Sequence, residues 1–306
     1  MEMSFIVGAG ATNVDLLYKN LPKLPDIGEE VYTDDFSIQL GGGLPATLIN
    51  LGRLGIKTKI ATELGNDMFS SFASEQFSSI GVTPLNLYHG DGIPLNITSV
   101  IILPQDRSFV TYGKESINPD SGALDEFYNA ARGARICLMN PGGFSGVYRR
   151  LKSEGTVMVL DTGWDDEMSF EKYGDLLEIA DYYTPNQKEA LKITGCSNVK
   201  EAAVSLRKYF DKVIIKLDKD GCLGLDETGE FICRSIDEFK CVDSTGAGDA
   251  FLAGFCYGLF HNYSFRDSIE FGNITGGKAV TQAGALSAYV NEKELLEIKN
   301  RYEGVM

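Results

Sequence analysis

Asp243-Ser244-Thr245-Gly246-Ala247-Gly248-Asp249, running directly into Ala250-Phe251-Leu252-Ala253-Gly254-Phe255, is the stretch from which the rest of the chain is read. Small residues at 246–248 let a backbone turn tightly and come close to a ligand. Phe251, Leu252, Phe255 and Leu259 then recur at helical spacing, which predicts a helix opening within a residue or two of Asp249. The first N–H groups of a helix have no partner inside it, and the macrodipole makes that end positive. Such a turn is an anion cradle. A carboxylate at its mouth does not attract a phosphate, but it can take a proton from a hydroxyl that attacks one. A glycine-rich helix start capped by aspartate gives the same local pattern, so the choice between the two rests on the remaining sequence.

A chain of 306 residues is long enough for one large α/β domain with a small appendage. Its 28 Lys and Arg against 43 Asp and Glu give a formal net charge of −15. That balance argues against nucleic acid as a partner, because a phosphate backbone calls for clustered basic residues. A nucleotide stays compatible, since a local cradle and Mg²⁺ hold phosphates even in an acidic protein. The six cysteines, at 137, 196, 222, 233, 241 and 256, show no C-x-x-C pair and no metal-ligand spacing. They read as thiols of a reducing compartment. His89 and His261 have no companions that suggest a zinc site or a nucleophilic triad. Strand-like Ser4-Phe5-Ile6-Val7-Gly8 stands where a secretion signal would need a basic start and a long apolar run, and no segment is apolar for long enough to span a membrane. A cytoplasmic protein without a membrane partner is the expectation.

Strand-like runs at 4–8, 57–61, 135–139, 156–161, 180–184 and 212–217 alternate with helical patterns at 44–54, 67–80, 143–154, 187–194, 199–209, 248–260, 266–281 and 291–302. That alternation predicts a mainly parallel sheet covered on both faces. Asn186 can cap the helix after 184, with Glu189 three residues on as in a capping box and Gly195 as the stop. Residues 28–40 and 94–112 break the alternation. Rich in Val, Ile, Thr, Phe and Tyr, with a turn signal at Pro104-Gln105-Asp106, they read as antiparallel hairpin material. No repeat or linker divides the chain, so residues 1–306 read as a single domain.

The spelling of 243–255 resembles the C-terminal signature of the ribokinase-like (PfkB) carbohydrate kinases. Other stretches extend the resemblance in the right order. Ile6-Val7-Gly8 through Asn13-Val14-Asp15 looks like the opening strand and sugar-binding loop. Gly41-Gly42-Gly43, with Ala46, Leu48, Leu51 and Arg53-Leu54-Gly55, looks like the first glycine motif and its helix. Tyr183-Thr184-Pro185-Asn186-Gln187-Lys188-Glu189-Ala190 matches a T-P-N-x-x-E element, and Ile215-Lys216-Leu217 with Gly221 resembles a nucleotide-binding strand and turn. The resemblance implies a three-layer α/β/α domain with a mainly parallel sheet and a small β lid, and an ATP-dependent kinase acting on an alcohol group. Segments 28–40 and 94–112 would then be the lid that keeps water from the phosphoryl group; a plain β extension, or a homodimer contact through the lid, fits the same pattern.

By the same resemblance Asp249 is the catalytic base, and the N–H groups of Gly246, Ala247 and Gly248 form the hole for the transferring phosphoryl group. Asn186 and Glu189 order Mg²⁺, its waters and the nucleotide phosphates. Lys216, Asp218 and Gly221 line the nucleotide, with Asp218 standing where the family commonly has glycine, and Asn273 matches an adenine contact. Asp243 and Thr245, the latter through its carbonyl, match a monovalent cation site in many relatives, with the 281–285 loop supplying further, mostly backbone, oxygens. ATP and Mg²⁺ are the expected cofactors, and K⁺ is left open because backbone ligands are not legible in a sequence. Asn13 and Asp15 are the candidate hydroxyl ligands of a small sugar or sugar-like substrate, with Gly42 and Gly43 allowing close approach and Tyr112 and Phe109 covering it from the lid. Ala46 replaces the usual asparagine contact, and Met139-Asn140-Pro141 replaces an acid, which together predict weak activity on ribose. Two further readings remain: a nucleoside kinase of the same family, and a member that binds ligand without catalysis. A dinucleotide oxidoreductase, suggested by Gly8-Ala9-Gly10-Ala11, lacks the third spaced glycine and the ribose-binding acid.

Overall fold

A computed structural model of the protein describes residues 4–103, 106–114 and 117–302. The chain opens with β1 (Ile6–Ala9), β2 (Asn13–Lys19), β3 (Asp35–Gly41) and α1 (Gly43–Arg53). It continues through β4 (Thr58–Thr62), α2 (Met68–Ile80), β5 (Val82–Asn86), β6 (Asn96–Ile102) and β7 (Arg107–Tyr112). Then come α3 (Ser121–Ala131), β8 (Ile136–Met139), α4 (Ser145–Ser153), β9 (Val157–Leu160), α5 (Phe170–Ile179) and β10 (Tyr182–Tyr183). The last part holds α6 (Gln187–Thr194), α7 (Val199–Leu206), β11 (Val213–Lys216), β12 (Cys222–Asp226), β13 (Gly229–Cys233), α8 (Ala247–Phe260), α9 (Phe265–Ala279) and α10 (Glu292–Arg301).

A six-stranded sheet runs β10-β9-β8-β1-β4-β5, with every pairing parallel. Its strands are apolar on both faces, as a parallel sheet sandwiched by helices requires. Alternate residues serve opposite cores. Ile6, Ile60, Ile136 and Val159 pack with α1, α2, α8, α9 and α10, whereas Val7, Ala61, Cys137 and Met158 pack with α3 through α7. The result is the three-layer α/β/α arrangement expected from the alternation. An antiparallel sheet, β11-β12-β13, joins the edge of the parallel one through a single parallel bridge between Asn186 and Lys216. A third sheet, β3-β2-β6-β7, is the lid.

The expected strands and helices are all present, with ends shifted by a few residues. β5, α3 and α5 have no counterpart in the sequence reading, and neither do β12 and β13, which return antiparallel beside β11. β5 carries Pro84, which weakens its pattern but is tolerated because the strand lies at the sheet edge. α3 and α5 are short helices announced mainly by their caps, Asp120 and Ser169. The lid also differs in its membership. Residues 28–34 form no strand, and β2 contributes a full lid strand, paired antiparallel with β3 and parallel with β6. At the β6–β7 turn, Pro104 and Gln105 lie outside the described residues, while Leu103 N–H donates to the Asp106 carbonyl at 2.9 Å.

α8 is apolar all round and buried from Ala250 to Gly258, which fits a helix enclosed on every side. Its contact with α9 is close: a β-carbon on Gly254 would lie 2.4 Å from the Phe271 carbonyl oxygen. Gly254→Val should therefore destabilise the fold by roughly 1–3 kcal/mol or more through overpacking. Gly146, exposed in α4 with open space around it, should respond oppositely, Gly146→Ala gaining up to about 1 kcal/mol. Urea denaturation of both variants checks the pair of signs.

Candidate active site

The polar cleft lies at the carboxyl ends of the parallel strands, where open α/β sheets commonly bind ligands. At its base is the start of α8. Gly246 caps that helix with φ of 76°, and a β-carbon there would stand 2.7 Å from the Ala285 backbone, so both conformation and space demand glycine. Ala247 N–H leans on the Ser244 carbonyl at 3.3 Å, while no acceptor among the described residues takes the N–H of Gly246 or Gly248. The cradle read from the sequence thus keeps two free donors beside a positive helix end.

Asp249 points from the first turn of α8 toward the first glycine motif: a β-carbon on Gly43 would lie 3.2 Å from its Oδ1. Walled in by protein and facing Asp161, its carboxyl is pushed well above the usual carboxylate range, with Lys216 opposing the shift. Lys216 Nζ stands 3.3 Å from Asp161 Oδ2, and would lie 3.4 Å from a β-carbon on Gly248. Burial lowers the basicity of Lys216, but the carboxylates of Asp161, Glu189 and Asp249 outweigh it and hold the ammonium above its ordinary range.

Asn186 and Glu189 form the expected capping box, with Asn186 N–H donating to Glu189 Oε2 at 2.8 Å and Glu189 N–H to Asn186 Oδ1 at 3.0 Å. The bridge between Asn186 and Lys216, with Lys216 N–H on the Pro185 carbonyl at 2.9 Å, brings the T-P-N-x-x-E element beside the nucleotide strand. Burial raises the Glu189 carboxyl, Lys216 lowers it and Asp161 raises it again. Asp161 was not singled out in the sequence. It lies just past β9, held by Gly163 N–H at 3.0 Å and by its own N–H on the Met139 carbonyl at 3.0 Å. A lone aspartate ending a strand carries no motif; only its place at the sheet's carboxyl edge marks it.

Asp218 adopts φ of 54°, the left-handed conformation that glycine takes freely, and its carboxylate accepts from Gln187 Nε2 at 2.6 Å. Gly221 must be glycine, since φ is 93° and a β-carbon would overlap the Cys233 carbonyl oxygen. Asn273 is buried, and its Nδ2 donates to the carbonyls of Cys233 at 2.9 Å and Arg234 at 3.2 Å. Its amide hydrogens therefore anchor the backbone after β13 and do not open onto the cleft.

On the lid side, Asn13 and Asp15 share the cleft face of β2. Asn13 Nδ2 donates to Asp15 Oδ1, Thr98 donates to Asn13 Oδ1 at 3.1 Å, and the Thr98 and Thr111 hydroxyls pair at 3.0 Å. Burial pushes the Asp15 carboxyl up to about 6. Gly42, with φ of 89°, would place a β-carbon 2.7 Å from the Ala11 carbonyl oxygen, so this turn admits only glycine without strain. Two expected substrate contacts lie elsewhere. Ala46 is fully buried in α1 and presents no surface to a ligand. Tyr112 lies on the opposite face of β7 from Thr111, because strand residues alternate, and among the described residues its hydroxyl meets the Ile93 carbonyl at 3.5 Å. Phe109, two residues before Thr111, shares the cleft face.

Asp243 ties three segments together. Thr245 N–H and Oγ1 donate to its Oδ1 at 3.0 and 2.7 Å, Gly284 N–H donates to Oδ2 at 2.8 Å, and Arg107 of β7 forms an ion pair with Oδ1. Burial works against ionisation here, but these donors and the guanidinium outweigh it and hold the carboxyl below its usual range.

A family model described as pfkB family carbohydrate kinase matches residues 3–292. The chain is 29% identical over 312 aligned residues to a ribokinase of Haemophilus influenzae, covering 94% of this chain and 96% of that one. It is 26% identical to a 5-dehydro-2-deoxygluconokinase of Clostridium perfringens, covering 80% of this chain and 79% of the other. Among solved structures, the ribokinase of Arabidopsis thaliana complexed with ribose and ATP superposes with a TM-score of 0.80 at 21% identity, covering 96% and 98% of the two chains. The adenosine kinase of Sinorhizobium meliloti superposes with a TM-score of 0.76 at 16% identity, covering 92% and 95%. The protein belongs to the pfkB family of carbohydrate kinases. Among the described residues no helix is long and apolar enough to cross a membrane.

Asp15 supplies a test of the lid-side geometry. Its folded carboxyl titrates near 6 instead of near its ordinary 3.8, so ionising it costs stability progressively as pH rises through that interval. Asp15→Asn should remove this cost, gaining up to about 3 kcal/mol above about pH 7 relative to the gain below about pH 4, while weakening binding of a hydroxyl-bearing substrate. Stability curves that stay parallel across the range would show that burial does not hold this group.

Proposed function

We propose that the protein transfers the terminal phosphoryl group of ATP to a hydroxyl of a sugar or sugar-like substrate, with Asp249 as the general base. The observation that carries this reading is the placement of the Asp249 carboxylate between the N–H groups at the start of α8 and the first glycine motif. A substrate hydroxyl between Asp249 and the glycines gives up its proton as it attacks the phosphoryl group. The Gly246 and Gly248 N–H groups and the Lys216 ammonium face the charge that develops on the transferring oxygens. Asp161 and Lys216 set the basicity of Asp249 in opposite senses.

Mg²⁺ fits the donor set, since it commonly takes one or two carboxylates, several waters and the nucleotide phosphates. Among the described residues no cluster of three metal-ligating side chains forms a closed cage. Glu189 would hold it through water, beside Asp161, and when bound it neutralises phosphate charge.

Asn13, Asp15 and Thr98 make the lid side a surface for hydroxyl groups. Ribokinases, a sugar-acid kinase and an adenosine kinase all share the fold or the sequence pattern. We rank a hexose or ketose first because sugars dominate the family. A nucleoside is the second reading, favoured by the likeness to the adenosine kinase fold.

The test is ADP release over a panel of aldoses, ketoses, sugar acids and nucleosides, for the native protein and Asp249→Asn. One substrate class should be turned over, and Asp249→Asn should lower kcat by on the order of 10²–10⁴ while nucleotide binding persists, because the cradle is backbone. Near-native turnover in Asp249→Asn, or no ADP release with any member of the panel, would overturn the reading.

A further inference from the structure

The family resemblance implies a monovalent cation at Asp243 and Thr245, and the residues present do not fit one. The Asp243 carboxylate already holds four donors: Thr245 N–H and hydroxyl and the Arg107 guanidinium on Oδ1, and Gly284 N–H on Oδ2. Two carbonyls of the neighbouring segment also accept hydrogen bonds. Ala283 accepts from Ser287 Oγ at 2.6 Å, and Val280 accepts from the N–H groups of Val242 and Asp243 at 2.7 and 3.1 Å.

Arg107 is the first residue of β7, on the face of the lid that carries Phe109 and Thr111 toward the cleft. At the opposite edge of the lid, Gln39 of β3 donates to Ser287 Oγ at 3.0 Å, and its amide fills the space beside Gly284. The lid sheet is therefore tied down at both edges, β7 to the 243–249 segment and β3 to the 281–287 loop, and the Asp243–Gly284 hydrogen bond joins the two. A charge here is needed for a plain reason. The Asp243 carboxylate lies at the root of the turn that must bind phosphate, and left alone it would oppose the positive end of α8.

We propose that Arg107 is a tethered replacement for the monovalent cation, a positioning residue that neutralises Asp243 and latches the lid to the phosphate-binding loop. A guanidinium cannot lose its proton in a protein and does not dissociate from the chain, so the charge is present whenever the lid is down. The protein then needs no K⁺, and closure of the lid delivers the charge that the loop requires. This inference rests on the kinase function proposed above.

The test compares native protein, Arg107→Met and Arg107→Lys in tetramethylammonium buffer, with K⁺ added at constant ionic strength. Native kcat/KM should change by less than about twofold with K⁺. Arg107→Met, which keeps the length and loses the charge, should fall about tenfold or more without K⁺ and recover with it. Arg107→Lys should stay largely insensitive to K⁺. A second readout needs no turnover: K⁺ should raise the thermal midpoint of Arg107→Met and leave that of the native protein unmoved. Strong K⁺ activation of the native protein, or an Arg107→Met that neither loses activity nor gains a K⁺-dependent midpoint, would overturn the inference. A native protein with no turnover on any substrate would instead count against the kinase reading, and the midpoint shift would still decide the role of Arg107.

Discussion

The candidate site depends on the placement of one ammonium among three partly buried or buried carboxylates. Lys216 comes from the end of β11, Asp161 from the end of β9, Glu189 from the first turn of α6 and Asp249 from the first turn of α8. In a desolvated site like charges repel more strongly than at a surface, so three carboxylates alone would drive one another toward protonation. Lys216 makes the cluster tolerable, and its burial is tolerable because of the carboxylates. The single parallel bridge from Asn186 to Lys216 holds this arrangement, joining the two sheets where the chemistry is placed.

Around that cluster, backbone does what side chains usually do. Gly42, Gly221 and Gly246 each combine a positive φ with a close neighbour that a β-carbon would strike. Their strictness is geometric: a side chain at any of the three would strike backbone of a neighbouring segment. The lid adds Asn13, Asp15 and Thr98 from a sheet whose base is embedded in the core, Val14 and Leu40 being almost fully buried. A lid rooted in this way can close over a ligand without losing its register.

Much of this was legible in the sequence, and the remainder was hidden for physical reasons. Apolar runs bounded by turn residues located the parallel strands, since a strand covered on both faces must be apolar throughout. The glycines and Asp249 were legible because their chemistry is local: a turn, a helix start and an acid within seven residues. Asp161 and Arg107 were not, because each is an ordinary residue made important by a partner far away in the chain, Lys216 in one case and Asp243 in the other. Ala46 and Tyr112 mark the opposite limit. A motif position located each of them, but burial of the first and strand alternation for the second keep them from the cleft face. Asn273 is similar, its amide hydrogens committed to the Cys233 and Arg234 carbonyls.

The most direct test of the account is the acid limb of the pH profile of kcat, at saturating substrate, in the native protein and in Asp161→Asn. Asp249 is held above the ordinary carboxylate range by burial and then by Asp161, whereas Asp15 owes its shift to burial alone. Removing the Asp161 charge should therefore move the limb to lower pH through Asp249 and leave the contribution of Asp15 in place. A limb that does not move, or that moves upward, would contradict the claim that Asp249 is the base and that its charged neighbours set its basicity.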